Sequence, residues 1–169
     1  DRKATLAARL TALAAEESRQ TAGLQAQLDK ALTTLESKTW MVPATQVRVE
    51  PGAYDRNTRL WPVKVTSLDP LVEAEENFVI DFAKSADLKT ELVAFDRAVK
   101  ANALAGEIGW GIRGDPSKGR YILVLRSVVL RNLETGTPVA SSSPRKDLAY
   151  FSSGNRSSAV SLVKVFVDF

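Results

Sequence analysis

At 169 residues, 44% of them apolar, the chain has room for one domain with its own core and an appendage. Its 23 basic and 20 acidic side chains leave a formal charge of +3, so electrostatics alone names no partner. Cysteine and histidine are both absent, which excludes disulfides, thiolate nucleophiles, Cys/His zinc sites, histidine general bases and imidazole pH sensors.

Residues 1–38 contain no proline, no aromatic residue and a single glycine, Gly23, in a background of Ala, Leu, Gln, Glu, Lys and Arg. That composition predicts a helix. Leu6, Leu10 and Leu13 are spaced by four and three, and the same rhythm passes through Glu17 and Gln20 to Leu24. Beyond Leu24 the seam continues as Leu28, Leu32 and Leu35, or with Ala31 in place of Leu32, which on a heptad reading needs a phase shift near Gly23 and Leu24. One leucine seam between charged and amide-rich flanks has to pack on something. The expected partner, through residues 5–36, is another copy or a partner helix in a coiled coil; the alternative is a helix folded back on its own domain. Glu17 and Gln20 would weaken the assembly and specify its register.

At Trp40-Met41-Val42-Pro43 the composition changes to strand-like alternation, which divides the chain into a helical stalk or oligomerisation segment, 1–39, and a β-rich globular domain, 40–169. Thr45, Val47 and Val49 form one face of a first strand, and Trp61, Val63 and Val65 one face of a second. Pro62 lacks an amide donor and predicts that this second strand lies at an edge or starts after it. Phe78, Ile80 and Phe82 point inward from a third. Leu88, Leu92, Phe95 and Val99 then recur at helical spacing, with Ser85 as the expected N-cap and Gly106 as the closing residue.

Residues 107–112 read as a strand and 111–119 as a hairpin loop, followed by an apolar run from Arg120 to Leu133 expected to be the central strand. Residues 134–138 read as a turn, 141–144 as a loop and 148–151 as a short strand. Val163, Val165, Val167 and Phe169 predict that the chain ends in a strand. Strands before and after one helix do not alternate as βαβα would, so the expected class is α+β, with a mostly antiparallel sheet of about seven strands.

Motifs that invite chemistry fit bland readings better. The glycines of residues 111–119 lack P-loop spacing. Arg113-Gly114-Asp115 resembles an adhesion tripeptide at a loop tip but is also good turn chemistry. Ser143 and Lys146 have Ser-x-x-Lys spacing, yet Pro144 and the serine run argue against the helix that this catalytic pair requires. Asp69, Glu73, Glu75, Glu76, Asp81 and Glu107 are available carboxylates without a sequence signal that pairs them. No catalytic, cofactor or metal residue is therefore assigned.

Charge is uneven, with 11 acids and 7 bases over residues 50–107 but 8 bases and 3 acids over 113–156. Arg113, Lys118, Arg120, Arg131, Arg145, Lys146 and Arg156 form a candidate rim for an anionic partner, an acidic glycan or a nucleic acid, unless the acidic segments lie beside them and neutralise them. Arg126 interrupts the central apolar run and marks either a carboxylate site or a strand bend.

No apolar run reaches the roughly 18 residues of a membrane span. The chain opens at Asp1 without an initiator methionine or a basic-then-apolar leader, as a processed or trimmed chain would. A thiol-free stalk and domain suit an extracytoplasmic place in a bacterial envelope. The expected function is that of a noncatalytic interaction protein: a helix-tethered β-rich domain that binds another macromolecule within an oligomeric assembly.

Overall fold

The computed structural model describes residues 1–152, and the expected terminal strand with Val163, Val165, Val167 and Phe169 lies outside them. The chain divides into two units, Asp1–Ser37 and Lys38–Phe169. The first is one helix, α1 (Arg2–Ser37), continuous through Gly23. The Asp1 carboxylate accepts from the Lys3 amide at 3.1 Å, satisfying one of the unpaired donors of the first turn. Among the described residues no helix is long and apolar enough to cross a membrane.

The second unit is α+β. Its described elements are β1 (Trp40–Met41), β2 (Val47–Pro51), β3 (Leu60–Ser67), β4 (Glu75–Asp81), α2 (Leu88–Lys100), β5 (Leu104–Asp115), β6 (Arg120–Asn132), β7 (Thr137–Ser142) and β8 (Lys146–Ser152). Eight strands among the described residues form two antiparallel sheets rather than one. The larger has the order β1-β5-β6-β7, with β8 also paired to β6, and the smaller the order β2-β3-β4. The run from Arg120 is central as expected, because β6 pairs with three strands.

The two sheets meet at Gly106. A Cβ there would lie 2.6 Å from Val65 Cγ1 and 2.7 Å from Val47 Cγ1, so the glycine lets β5 approach the smaller sheet closely. This corrects its expected place at a helix end: α2 stops at Lys100, and the left-handed residue that turns the chain is Asn102, at φ 52°. Ile108, Val128 and Leu130 fill the same interface and are buried. At one side Trp61, Phe82 and Phe95 pack edge to face or tilted, with Trp61 and Phe95 centroids 4.9 Å apart.

Other expectations change for local reasons. Thr45 lies in a 3₁₀ turn, Ala44–Gln46, ahead of β2. Pro62 is in the middle strand of its sheet, not an edge. Its carbonyl accepts from the Gly52 amide at 2.8 Å, and a strand residue's N–H and C=O point the same way, so its missing donor faces the chain just past the end of β2. The N-cap of α2 is Asp87, accepting from the Thr90 amide, whereas Ser85 ends the preceding 3₁₀ turn, Phe82–Lys84. Residues 137–142 form β7 although Thr137-Pro138 reads as part of a turn and Ser141-Ser142 as part of a loop, because β6 supplies a ladder to pair with.

Candidate functional site

Helix α1 has no buried residue. Leu6 and Leu10 are each 59% exposed, Leu13 66%, Leu24 67% and Leu28 50%, while Leu32 and Leu35 are half-buried. At 3.6 residues per turn, about five turns separate Leu6 from Leu24 and Leu10 from Leu28, and all seven leucines fall within an arc of about 100°. The phase shift that a heptad reading demands near Leu24 is thus no break in the helix. The spacing there follows the period of a straight α-helix. Beside the seam, Glu16 accepts from Arg19 and, at 3.0 Å, from Gln20, and Gln25 donates to Asp29 at 2.9 Å. These pairs line the polar flanks on either side of the leucine arc.

Not all of the described basic candidates of the second unit share one patch. Arg120 and Arg131 stand at opposite ends of β6, on the order of 30 Å apart at strand spacing. Arg131 forks onto Glu107 of the neighbouring strand, at 2.8 and 3.4 Å, and donates to the Gly136 carbonyl at 3.1 Å; Glu107 raises its pKa further. Arg120 pairs with Asp115 at 3.1 Å and lies 4.3 Å from the Tyr150 ring centroid, and Arg113 pairs with Asp147 at 3.2 Å. Three of the seven candidates therefore face acids across the sheet. Lys118, Arg145 and Lys146 are exposed, and Arg156 lies outside the described residues.

The arginine-glycine-aspartate tripeptide is not at a loop tip. β5 runs through it to Asp115, with Arg113, Gly114 and Asp115 opposite Ile122, Tyr121 and Arg120. Only the 3₁₀ turn 116–118 and Gly119, at φ 59°, connect the two strands. The Asp115 carboxyl is held below its ordinary pKa, first by the Ser117 hydroxyl and then by Arg120.

Arg126 marks a bend. Gly109 is opposite Ser127 and Trp110 opposite Leu125, which leaves Arg126 as the extra residue of a β-bulge. Its guanidinium donates to the Lys38 carbonyl at 2.7 Å and to Thr39 Oγ1 at 3.2 Å. Gly111 gives it room: a Cβ there would lie 2.2 Å from Nε. Beside it Trp40 stacks on Trp110, centroids 5.1 Å apart, so the chain entering the unit is held by one bulge and one aromatic pair. All three tryptophans, Trp61 included, are buried and offer no exposed ring platform.

Sequence reasoning does not find the cleft of about 580 Å³ between the start of α2 and the β6–β7 turn. Its apolar lining includes Phe82, Phe95 and Val139, and its polar lining Asp81, Glu91 and Asn132. Of the carboxylates singled out above, only Asp81 is there. It accepts from the Ala83 amide at 3.0 Å and pairs with Lys84 at 3.4 Å, while Glu91 accepts from the Ser85 hydroxyl. Both carboxylates are thus engaged in local structure. Among the described residues no group of three potential ligands could hold a metal ion. No protein family matches the chain, and neither does any curated protein or solved structure.

Proposed function

We propose that the chain is a noncatalytic interaction protein in which α1 associates with another helix and the resulting oligomer presents the β-rich unit to another macromolecule. An extracytoplasmic envelope assembly is the setting that suits a thiol-free chain of this build. The observation that carries the reading is the seam: five leucines, each 50–67% exposed, on one side of a 36-residue helix. Full burial of a leucine contributes about 1.5–3 kcal/mol. Two such seams brought together therefore offset an association cost of roughly 4–15 kcal/mol, less the penalty of the Glu17 and Gln20 layers. Engagement of Arg113, Arg120 and Arg131 by neighbouring acids favours this reading over an anionic glycan or nucleic-acid partner.

Sedimentation velocity of the intact chain tests it, beside a variant carrying Leu13→Ser and Leu28→Ser. The expected result is a concentration-dependent oligomer for the unsubstituted chain and a monomer with an unchanged β-unit near-ultraviolet spectrum for the variant. A monomeric unsubstituted chain across the micromolar range overturns the reading.

A further inference from the structure

We infer that α1 pairs with α1 of a second copy of this chain in antiparallel orientation, with Leu13 of one copy opposite Leu28 of the other. The inference rests on the proposed helix association and names its partner and direction. Three observations carry it. The first is the reversal symmetry of the seam. If two copies run in opposite directions about a centre between Gln20 and Thr21, Leu6 meets Leu35, Leu10 meets Ala31, Leu13 meets Leu28 and Glu17 meets Leu24. Because α1 is a single unbroken helix, this register is available along its whole length.

The second observation is the position of Glu17. Parallel copies in register set each seam residue against itself, which opposes two Glu17 carboxylates at the apolar seam. Like charges facing each other at a desolvating contact are unfavourable. The antiparallel register separates them, leaving each beside a leucine at the edge of a polar middle in which Gln20 and Thr21 also fall. Third, the halves of α1 carry opposite charge. Residues 2–19 hold four basic and two acidic side chains, and residues 20–37 one basic and two acidic. Antiparallel pairing sets the positive half against the negative one and opposes the two helix dipoles. Parallel pairing stacks like on like.

The absence of cysteine makes the test clean. Leu13→Cys and Leu28→Cys are introduced separately into the full chain, and the two variants are oxidised alone and as an equilibrated mixture. The expected result is a covalent dimer that forms at least tenfold more in the mixture than in either variant alone. Self-crosslinking of each variant, with no excess in the mixture, means a parallel pair and overturns the inference while leaving helix association intact.

Should cysteine in the seam prevent pairing, a spin label at Ala8→Cys, on the opposite face, provides a second readout. In the antiparallel register the two labels are offset along the axis by 25 residues, or about 38 Å at 1.5 Å per residue. Across an in-register parallel pair, with axes about 8–10 Å apart, outward labels would stand roughly 25 Å apart, so a separation below about 30 Å overturns the inference. A chain that sediments as a monomer overturns both the association and the direction inferred from it.

Discussion

Gly106→Ala tests how closely the two sheets pack. The new Cβ would stand 2.6 Å from Val65 Cγ1, 2.7 Å from Val47 Cγ1 and 3.3 Å from Val49 Cγ2. Carbon atoms prefer separations of about 3.5–4.0 Å, so the closest two contacts overlap by roughly 1 Å. Valine is stiff at χ1 and Val65 is fully buried, so its methyl cannot rotate out of the way into free space, while Val47 is half-buried and has less to yield into than an exposed side chain. Relief requires the sheets to separate or the strands to shift, at a cost of about 1–3 kcal/mol. Opposing this is the gain of about 0.4–1 kcal/mol from replacing glycine in the unfolded chain, available because Gly106 has no left-handed φ. The overpacking wins, with a net loss of about 1–2 kcal/mol.

Urea unfolding followed by tryptophan fluorescence measures this loss, because all three tryptophans are buried in the unit concerned. The midpoint should fall with the slope unchanged. Adding Val47→Ala to Gly106→Ala should recover part of the loss, since the truncated side chain no longer meets the new Cβ. An alanine variant as stable as the parent, or more stable, would show that β5 does not touch the smaller sheet at this point. The two-sheet core would then need to be redrawn.

Arg126→Ala removes the donors that reach the Lys38 carbonyl and Thr39 Oγ1, a loss of about 1 kcal/mol. Amide exchange at Trp40 and Val42 should accelerate about fivefold, and an unchanged rate would show that the bulge does not hold the entering strand. Acid should weaken the fold through Asp115, whose carboxyl sits below its ordinary value of 3.8, first because of the Ser117 hydroxyl and then because of Arg120. A depressed folded-state pKa stabilises the native chain above that ordinary value, and the contribution is lost as pH falls through the lower folded value. Asp115→Asn should therefore flatten the stability curve below about pH 4, measured by urea unfolding at successive pH values. Curves for parent and variant that stay parallel from pH 5 to 2.5 would reject the assignment.

Much of this protein is written in local spacing. The helix from Arg2 to Ser37, its leucine stripe, the change of character at Trp40 and the central place of the run from Arg120 each follow from periods of 3.6 or 2 and from composition. Chemistry within about four residues sets those features, so the sequence is enough to read them. The cap of α2 was harder, because Ser85 and Asp87 are both competent and the 3₁₀ turn 82–84 decides between them.

The tertiary structure alone decided which strands share a sheet. Alternation shows that a strand has two faces but not which neighbour it will find, so one sheet and two were equally consistent with the pattern. Gly106 is the clearest case. In sequence it follows a helix and looks like a stop, yet its role depends on Val47 and Val65, which lie more than 40 residues away in the chain. The same holds for the pairing of Arg131 with Glu107 and of Arg113 with Asp147, 24 and 34 residues apart, and for the cleft beside α2. Charge can be counted along a chain, but whether it is neutralised depends on strand register. Register is a property of the assembled sheet.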